Sequence, residues 1–298
     1  ELGGVGRRGP APWRDAGPAA MAQSRQRLRA EIERVLFEQW AADTQLMEAA
    51  RRGRDAGQRL GLYRDLAVGA APDGAEAWAN RSRLLPGLSI GAPPDPLGPL
   101  GQVWGLPPPD PLAARREAGR AFGALIADNM RHAGALRIDH ALGLSRLFVV
   151  PEGANGAQGC YVAQPAEINF ARLALESARA DCLVVGEDLG TAPEGFHATL
   201  EEAAVLSYRV AWFERDARSF RPPESYPHLA AACVTTHDLP TLAGWWVGAD
   251  IDERLILGLI DATQASSDHV VRAMDKRDFL AALREAGALT VSLDPTAP

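Results

Sequence analysis

Short, continuously apolar runs separated by helix-length segments fill the second half of this 298-residue chain, and no other feature constrains its fold as much. Residues 115–133 read as a helix, 134–141 as a strand, 167–180 as a helix and 181–190 as a strand. A helix over 193–204 follows, with strands over 206–214 and 232–241. Upstream, residues 60–68 form a further strand-like run that holds Arg64 and Asp65. Strands alternating with helices build βαβ units and hence a parallel sheet. Runs without polar alternation fit strands covered on both faces. A different period appears over 24–56, where Leu28, Ile32, Val35, Leu36 and Trp40 step by three or four, the pattern of an amphipathic helix that Gly57 stops.

Composition narrows the class. The length accommodates one (β/α)8 barrel, which needs about 250 residues. With 31 Lys and Arg against 38 Asp and Glu, the formal charge is -7, which disfavours a nucleic-acid partner, since phosphate binding draws on clustered basic residues. Cys160, Cys182 and Cys233 are odd in number and lack C-x-x-C spacing, so neither a disulfide framework nor a zinc knuckle is expected, and a cytoplasmic location fits. No apolar run approaches the ~18 residues of a membrane span. Residues 1–20, rich in Gly, Pro, Ala and Arg without an apolar core segment, read as a disordered tail rather than a signal peptide. The stretch 91–111 holds eight of the 22 prolines, which excludes a regular helix or a central strand. Val103 and Trp104 within it suggest an ordered excursion packed on the main body.

Three apolar runs end on a carboxylate. Leu136-Arg137-Ile138 leads to Asp139, Val184-Val185-Gly186 to Glu187, and Val234-Thr235-Thr236-His237 to Asp238. An acid in mid-strand would be costly to bury, so these acids belong at the carboxyl ends of their strands, the rim where catalytic groups of a parallel barrel converge. A single acid there is ordinarily a cap or turn residue; three in equivalent places are a different matter. Arg137 stands two residues before Asp139, on the same side of an extended strand, as an ion pair needs. None of the six histidines has metal-ligand spacing, so no metal is expected. Carboxylates that converge without metal suit glycoside cleavage. Arg137 is expected to keep Asp139 ionised as the nucleophile, whereas Glu187, after Val184 and Val185, is expected to hold a proton. Asp238 is left to orient sugar hydroxyls and stabilise the oxocarbenium-like state.

The segments ALRIDH, GEDLG and THDLPT, with GLYRDLAVG, GAPPDPLGPLGQVWG and SYRVAWFE, together resemble the 4-α-glucanotransferases (amylomaltases) of glycoside hydrolase family 77, over about 31–288. The resemblance implies a TIM (β/α)8 barrel, here incomplete, with strands answering to the family's third to seventh and none to the first, second or eighth. It implies one catalytic domain over 21–298, with 91–111 as a substrate-groove loop. It makes Asp139 the nucleophile, Glu187 the general acid/base and Asp238 the transition-state stabiliser. Arg137 would hold Asp139, His237 would bind sugar, Asp65 would support the pocket wall, and Gln102 and Trp104 would help cover the groove. The implied reaction moves an α-1,4-glucan segment to the 4-hydroxyl of glucose or another glucan through a covalent glucosyl-Asp intermediate. No cofactor, nucleic acid, membrane or obligate protein partner is implied. An α-glucan hydrolase and an inactive glucan-binding fragment remain alternative readings.

Overall fold

The computed structural model describes residues 17–95, 99–216 and 219–289. The sequence reads as one domain over 21–298; the chain groups into two compact units, 1–205 and 206–298. Of the expected tail, 1–16 lies outside the described residues, while helix α1 (Pro18–Arg27) already starts inside its last three positions, with Pro18 at the site where a missing N–H is harmless.

Helix α2 (Arg29–Asp55) follows after a break at Leu28, so the single helix expected over 24–56 is two. Gly57, at φ 88°, comes two residues after its end, as a stop glycine should. Ala50 is its one buried residue. The apolar stripe is exposed, with Leu36 and Trp40 each 63% accessible.

The strands of the first unit are β1 (Tyr63–Leu66), β2 (Leu88–Ala92), β3 (Gln102–Val103) and β4 (Ala135–Ile138), then β5 (Arg146–Pro151), β6 (Cys160–Ala163) and β7 (Leu183–Gly186). Strands β1, β4 and β7 lie side by side and parallel, with Asp65 opposite Arg137 and Arg137 opposite Val185. Helix α3 (Ala75–Ala79) precedes β2. Helices α4 (Pro111–Arg116) and α5 (Arg120–Met130) connect β3 to β4, α6 (Ala166–Ala180) leads into β7, and α7 (Phe196–Glu202) follows it. Ile126, Met130, Leu136, Phe170, Leu173 and Leu200 form the core between sheet and helices. Each such side chain contributes roughly 1.5–3 kcal/mol by leaving water. The one helix expected over 115–133 is broken, because Ala118 and Gly119 both take left-handed φ, 49° and 67°. A Cβ on Gly119 would fall 2.7 Å from Ile168 Cγ2, so the turn there requires glycine.

A second, antiparallel sheet, ordered β3-β2-β5-β6, was not foreseen. It corrects the reading of the Pro-rich stretch, since Gly91 and Ala92 end β2, an interior strand. The prolines begin at 93, past the last paired residue, and so remove no ladder hydrogen bond. A Cβ at Gly91 would stand 2.1 Å from the Gln102 carbonyl oxygen, and this close approach brings β3, and Trp104 after it, over β2.

In the second unit β8 (Leu206–Val210) and β9 (Ala230–Cys233) pair in parallel, Ser207 opposite Ala230. Helices α8 (Leu242–Val247), α9 (Ala249–Ile256) and α10 (Ala262–Glu285) follow. Trp212 stacks on Trp245 at 4.2 Å, and Phe279 packs on both. The last strand lies earlier than expected, because 235–240 turns on its own side chains: Thr235 Oγ1 donates to the Pro240 carbonyl at 2.8 Å and the Asp238 N–H to Thr236 Oγ1 at 3.2 Å.

The five expected parallel strands are thus present as β1, β4, β7, β8 and β9. Among the described residues β1 pairs on one side only, with β4, and β9 only with β8, so the barrel is incomplete. No helix of the described residues is long and apolar enough to cross a membrane.

Candidate active site

The parallel register of β1 and β4 sets Asp65 beside Arg137 on one face of the sheet. Arg137, its side chain 6% exposed, donates from Nη1 to both Asp65 oxygens at 2.8 and 3.0 Å. The same Nη1 stands 2.7 Å from Asp139 Oδ1. Burial works against the charge on Arg137, and the Asp65 hydrogen bond and the Asp139 field outweigh it, so the guanidinium is held firmly protonated. Asp139 is where β4 ends: its N–H donates to the Leu66 carbonyl at 3.0 Å, after which the chain turns.

The turn is made by His140 in the left-handed region, φ 49° and ψ 56°, a conformation uncommon for a residue with a Cβ. It aims the His140 N–H at Glu187 Oε2, 2.9 Å away. Glu187 Oε1 accepts from the Leu189 N–H at 2.8 Å. Main-chain bonds fasten the two strand ends together, Glu187 N to the Ile138 carbonyl at 3.0 Å and Ala141 N to the Glu187 carbonyl at 2.8 Å. Burial raises the Glu187 pKa above the ordinary carboxylate range; the two backbone N–H groups and Arg137 pull the other way without cancelling it, and Asp139 adds to the rise. Beside it, Asp188 is buried, its Oδ2 3.2 Å from His197 Nε2.

The His140 ring meets Trp104 edge-on at 5.4 Å between centroids, and Trp104 Nε1 donates to Gln102 Oε1 at 2.9 Å. Burial lowers the His140 pKa, with Asp139 opposing, so the ring is neutral at pH 7. In the first unit, six of the eight residues singled out from sequence therefore form one connected set: Asp65, Arg137, Asp139, Glu187, Gln102 and Trp104. The connecting member, His140, went unassigned in the sequence. Its signal was its place directly after a strand-ending acid, but a left-handed histidine has no sequence signature.

His237 and Asp238 lie in the second unit, both exposed, with His237 Nε2 3.3 Å from Asp238 Oδ2. Among the described residues no three His, Cys, Asp or Glu side chains gather closely enough to hold a metal.

Parallel strands that carry acids at their carboxyl ends, one on an arginine and one in an apolar setting, define an α/β protein of the barrel type. A family model described as 4-alpha-glucanotransferase, glycoside hydrolase family 77, matches residues 7–292, and the chain belongs to that family. It is 40% identical over 262 residues to a 4-alpha-glucanotransferase of Mycobacterium bovis, covering 86% of this chain and 36% of that one. A Haemophilus influenzae 4-alpha-glucanotransferase is 37% identical over 253 residues, covering 85% and 36%. Amylomaltase from Corynebacterium glutamicum superposes with a TM-score of 0.81 at 36% identity, covering 86% of this chain and 37% of that one. Amylomaltase from Streptococcus agalactiae in complex with acarbose shares the fold, with a TM-score of 0.73 at 21% identity. The chain spans about a third of the length of the relatives it matches.

Proposed function

We propose that the chain carries 4-α-glucanotransferase chemistry on α-1,4-glucans, with Asp139 as nucleophile, Glu187 as general acid/base and Asp238 as stabiliser of the oxocarbenium-like transition state. The observation that carries this reading is the unequal setting of two fastened acids. Asp139 is ion-paired to a buried arginine, whereas burial pushes the Glu187 carboxyl toward its protonated form. A retaining mechanism needs this division of labour. Glu187 gives its proton to the departing glycosidic oxygen while Asp139 attacks the anomeric carbon and forms a glucosyl ester. Glu187, now ionised, takes the proton of an incoming 4-hydroxyl, whose oxygen displaces Asp139.

Arg137 fixes Asp139, Asp65 fixes Arg137, and sugar binding is assigned to Trp104, Gln102 and His237. The substrates are maltooligosaccharides, maltodextrin or glycogen and starch fragments as donors, with glucose or a glucan as acceptor. Incubation with maltotriose tests the reading: transfer yields glucose with maltopentaose and longer chains at a constant number of reducing ends. Reducing ends that rise with each bond cut would make the chain a hydrolase, and glucan binding without products would make it a binding fragment.

A further inference from the structure

The turn that follows β7 carries a carboxylate that the transfer steps do not use. Asp188 stands between Glu187 and Leu189, the residue whose N–H donates to Glu187 Oε1 at 2.8 Å, and its side chain is wholly buried. Its Oδ2 lies 3.2 Å from Nε2 of His197, whose own side chain is half exposed. An imidazolium this close offsets the cost of taking a carboxylate out of water.

His197 is itself held in place. It follows Phe196 in the first turn of α7, and Phe196 is buried in the core, its ring centroid 6.3 Å from that of Phe170. The His197 ring meets Phe196 edge-on, also at 6.3 Å. Further along the turn the Thr191 carbonyl accepts from Arg146 Nη2 at 2.9 Å. Both α7 and β5 therefore grip the segment 187–191, His197 at Asp188 and Arg146 at Thr191.

We propose that His197 is a positioning residue for the general acid/base: by holding Asp188 in the interior it keeps the Leu189 N–H on Glu187 Oε1 and so fixes the facing of the Glu187 carboxyl, a role that rests on the transferase reading of that acid. A buried carboxylate that loses its cationic neighbour is costly, and the turn relieves the cost by letting Asp188 swing toward water. Leu189 is the next residue, so its N–H leaves Glu187 with that movement. The His140 N–H on Glu187 Oε2 belongs to the end of β4 and stays. One of two fastenings is lost, and the carboxyl turns about the one that remains.

The test is a pH titration of the 298-residue chain by NMR, following the Glu187 carboxyl carbon and the Leu189 and His140 amides. Loss of its resonance in Glu187→Gln identifies the carboxyl. In the native chain both amides should follow the Glu187 titration, since both donate to that group. In His197→Leu the Leu189 amide should stop following it while the His140 amide continues, and the Glu187 midpoint should rise by about one pH unit, the loss of one hydrogen bond to a charged acceptor. Two changes should restore the Leu189 response: His197→Arg, which returns a cation to this half-exposed position, and Asp188→Asn added to His197→Leu, which removes the buried charge. A Leu189 amide that ignores Glu187 in the native chain, or still follows it in His197→Leu, overturns the proposal. So does loss of both amide responses or of the fold, which marks a merely structural residue, and so does failure of both restoring changes. The readout needs no turnover, so a chain that transfers nothing still decides the matter, and failure here leaves the transferase reading standing.

Discussion

The two units carry their rim acids in opposite ways. In the first, Asp139 and Glu187 are fastened by a buried arginine, two main-chain N–H groups and the backbone bonds that join the ends of β4 and β7. In the second, Asp238 has its side chain 70% exposed, with the likewise exposed His237 beside it. The difference teaches that the first pair is positioned locally. Burial raises the Glu187 pKa and fixed donors hold its carboxyl, whereas Asp238 is placed by the geometry of a Thr-rich turn.

The largest expected effect that probes this contrast is on turnover. Glu187→Gln should lower transfer by roughly 10²- to 10⁴-fold, measured as maltopentaose formed from maltotriose, and an undiminished rate would remove Glu187 from the chemistry. Next comes stability. Asp65→Asn combined with Asp139→Asn strands the Arg137 charge and should lower the unfolding free energy by about 3 kcal/mol in denaturant titrations. A loss near zero would show that the guanidinium does not depend on this pair.

The pH dependence has a definite sign for each buried group. The Glu187 pKa is raised in the folded state, so its contribution is complete below the unfolded value, about 4.3, and lost as pH rises through the folded one. The stability gap between the native chain and Glu187→Gln should therefore shift against the native chain as pH rises above that point. His140 has a lowered folded pKa, and its contribution is complete above about 6.5 and fades as pH falls. His140→Asn, which tolerates the left-handed backbone, should flatten that loss, and an unchanged profile would place the titration elsewhere.

Smaller again, Trp104→Ala should cost about 0.5–1.5 kcal/mol for the ring contact with His140, beyond the loss of buried area. It should also raise the KM for maltotriose more than it lowers kcat. The smallest effect belongs to the second unit. Asp238→Asn should leave stability within about 0.5 kcal/mol of the native chain while transfer collapses. A large loss of stability there would erase the contrast between the units.

Much of this arrangement was legible in the sequence, and unevenly so. The runs ending in Asp139 and Glu187 announced strands because parallel strands covered on both faces must be apolar until they reach the rim. Arg137 and Asp139 read as a pair because two residues along a strand share a face. What stayed hidden depended on backbone conformation or on distant partners. The break at Ala118 and Gly119 lies inside a good helical period, and the sheet of β2, β3, β5 and β6 is assembled from segments far apart in sequence, one of them beside prolines. The displaced β9 shows a third limit, since the threonines that favour a strand also hydrogen-bond to their own turn. His140 combines these difficulties, because its role arises from a φ of 49° and from contact with a tryptophan 36 positions earlier.

The stripe of Leu36, Phe37 and Trp40 on α2 governs how this chain behaves in a test tube. A net charge of -7 keeps molecules apart in dilute buffer, but that repulsion reaches only about 8 Å at physiological salt. Beyond that screening the exposed indole and phenyl rings dominate the encounter between molecules. Light scattering should thus climb with added sodium chloride, and storage at low ionic strength should keep the material clear.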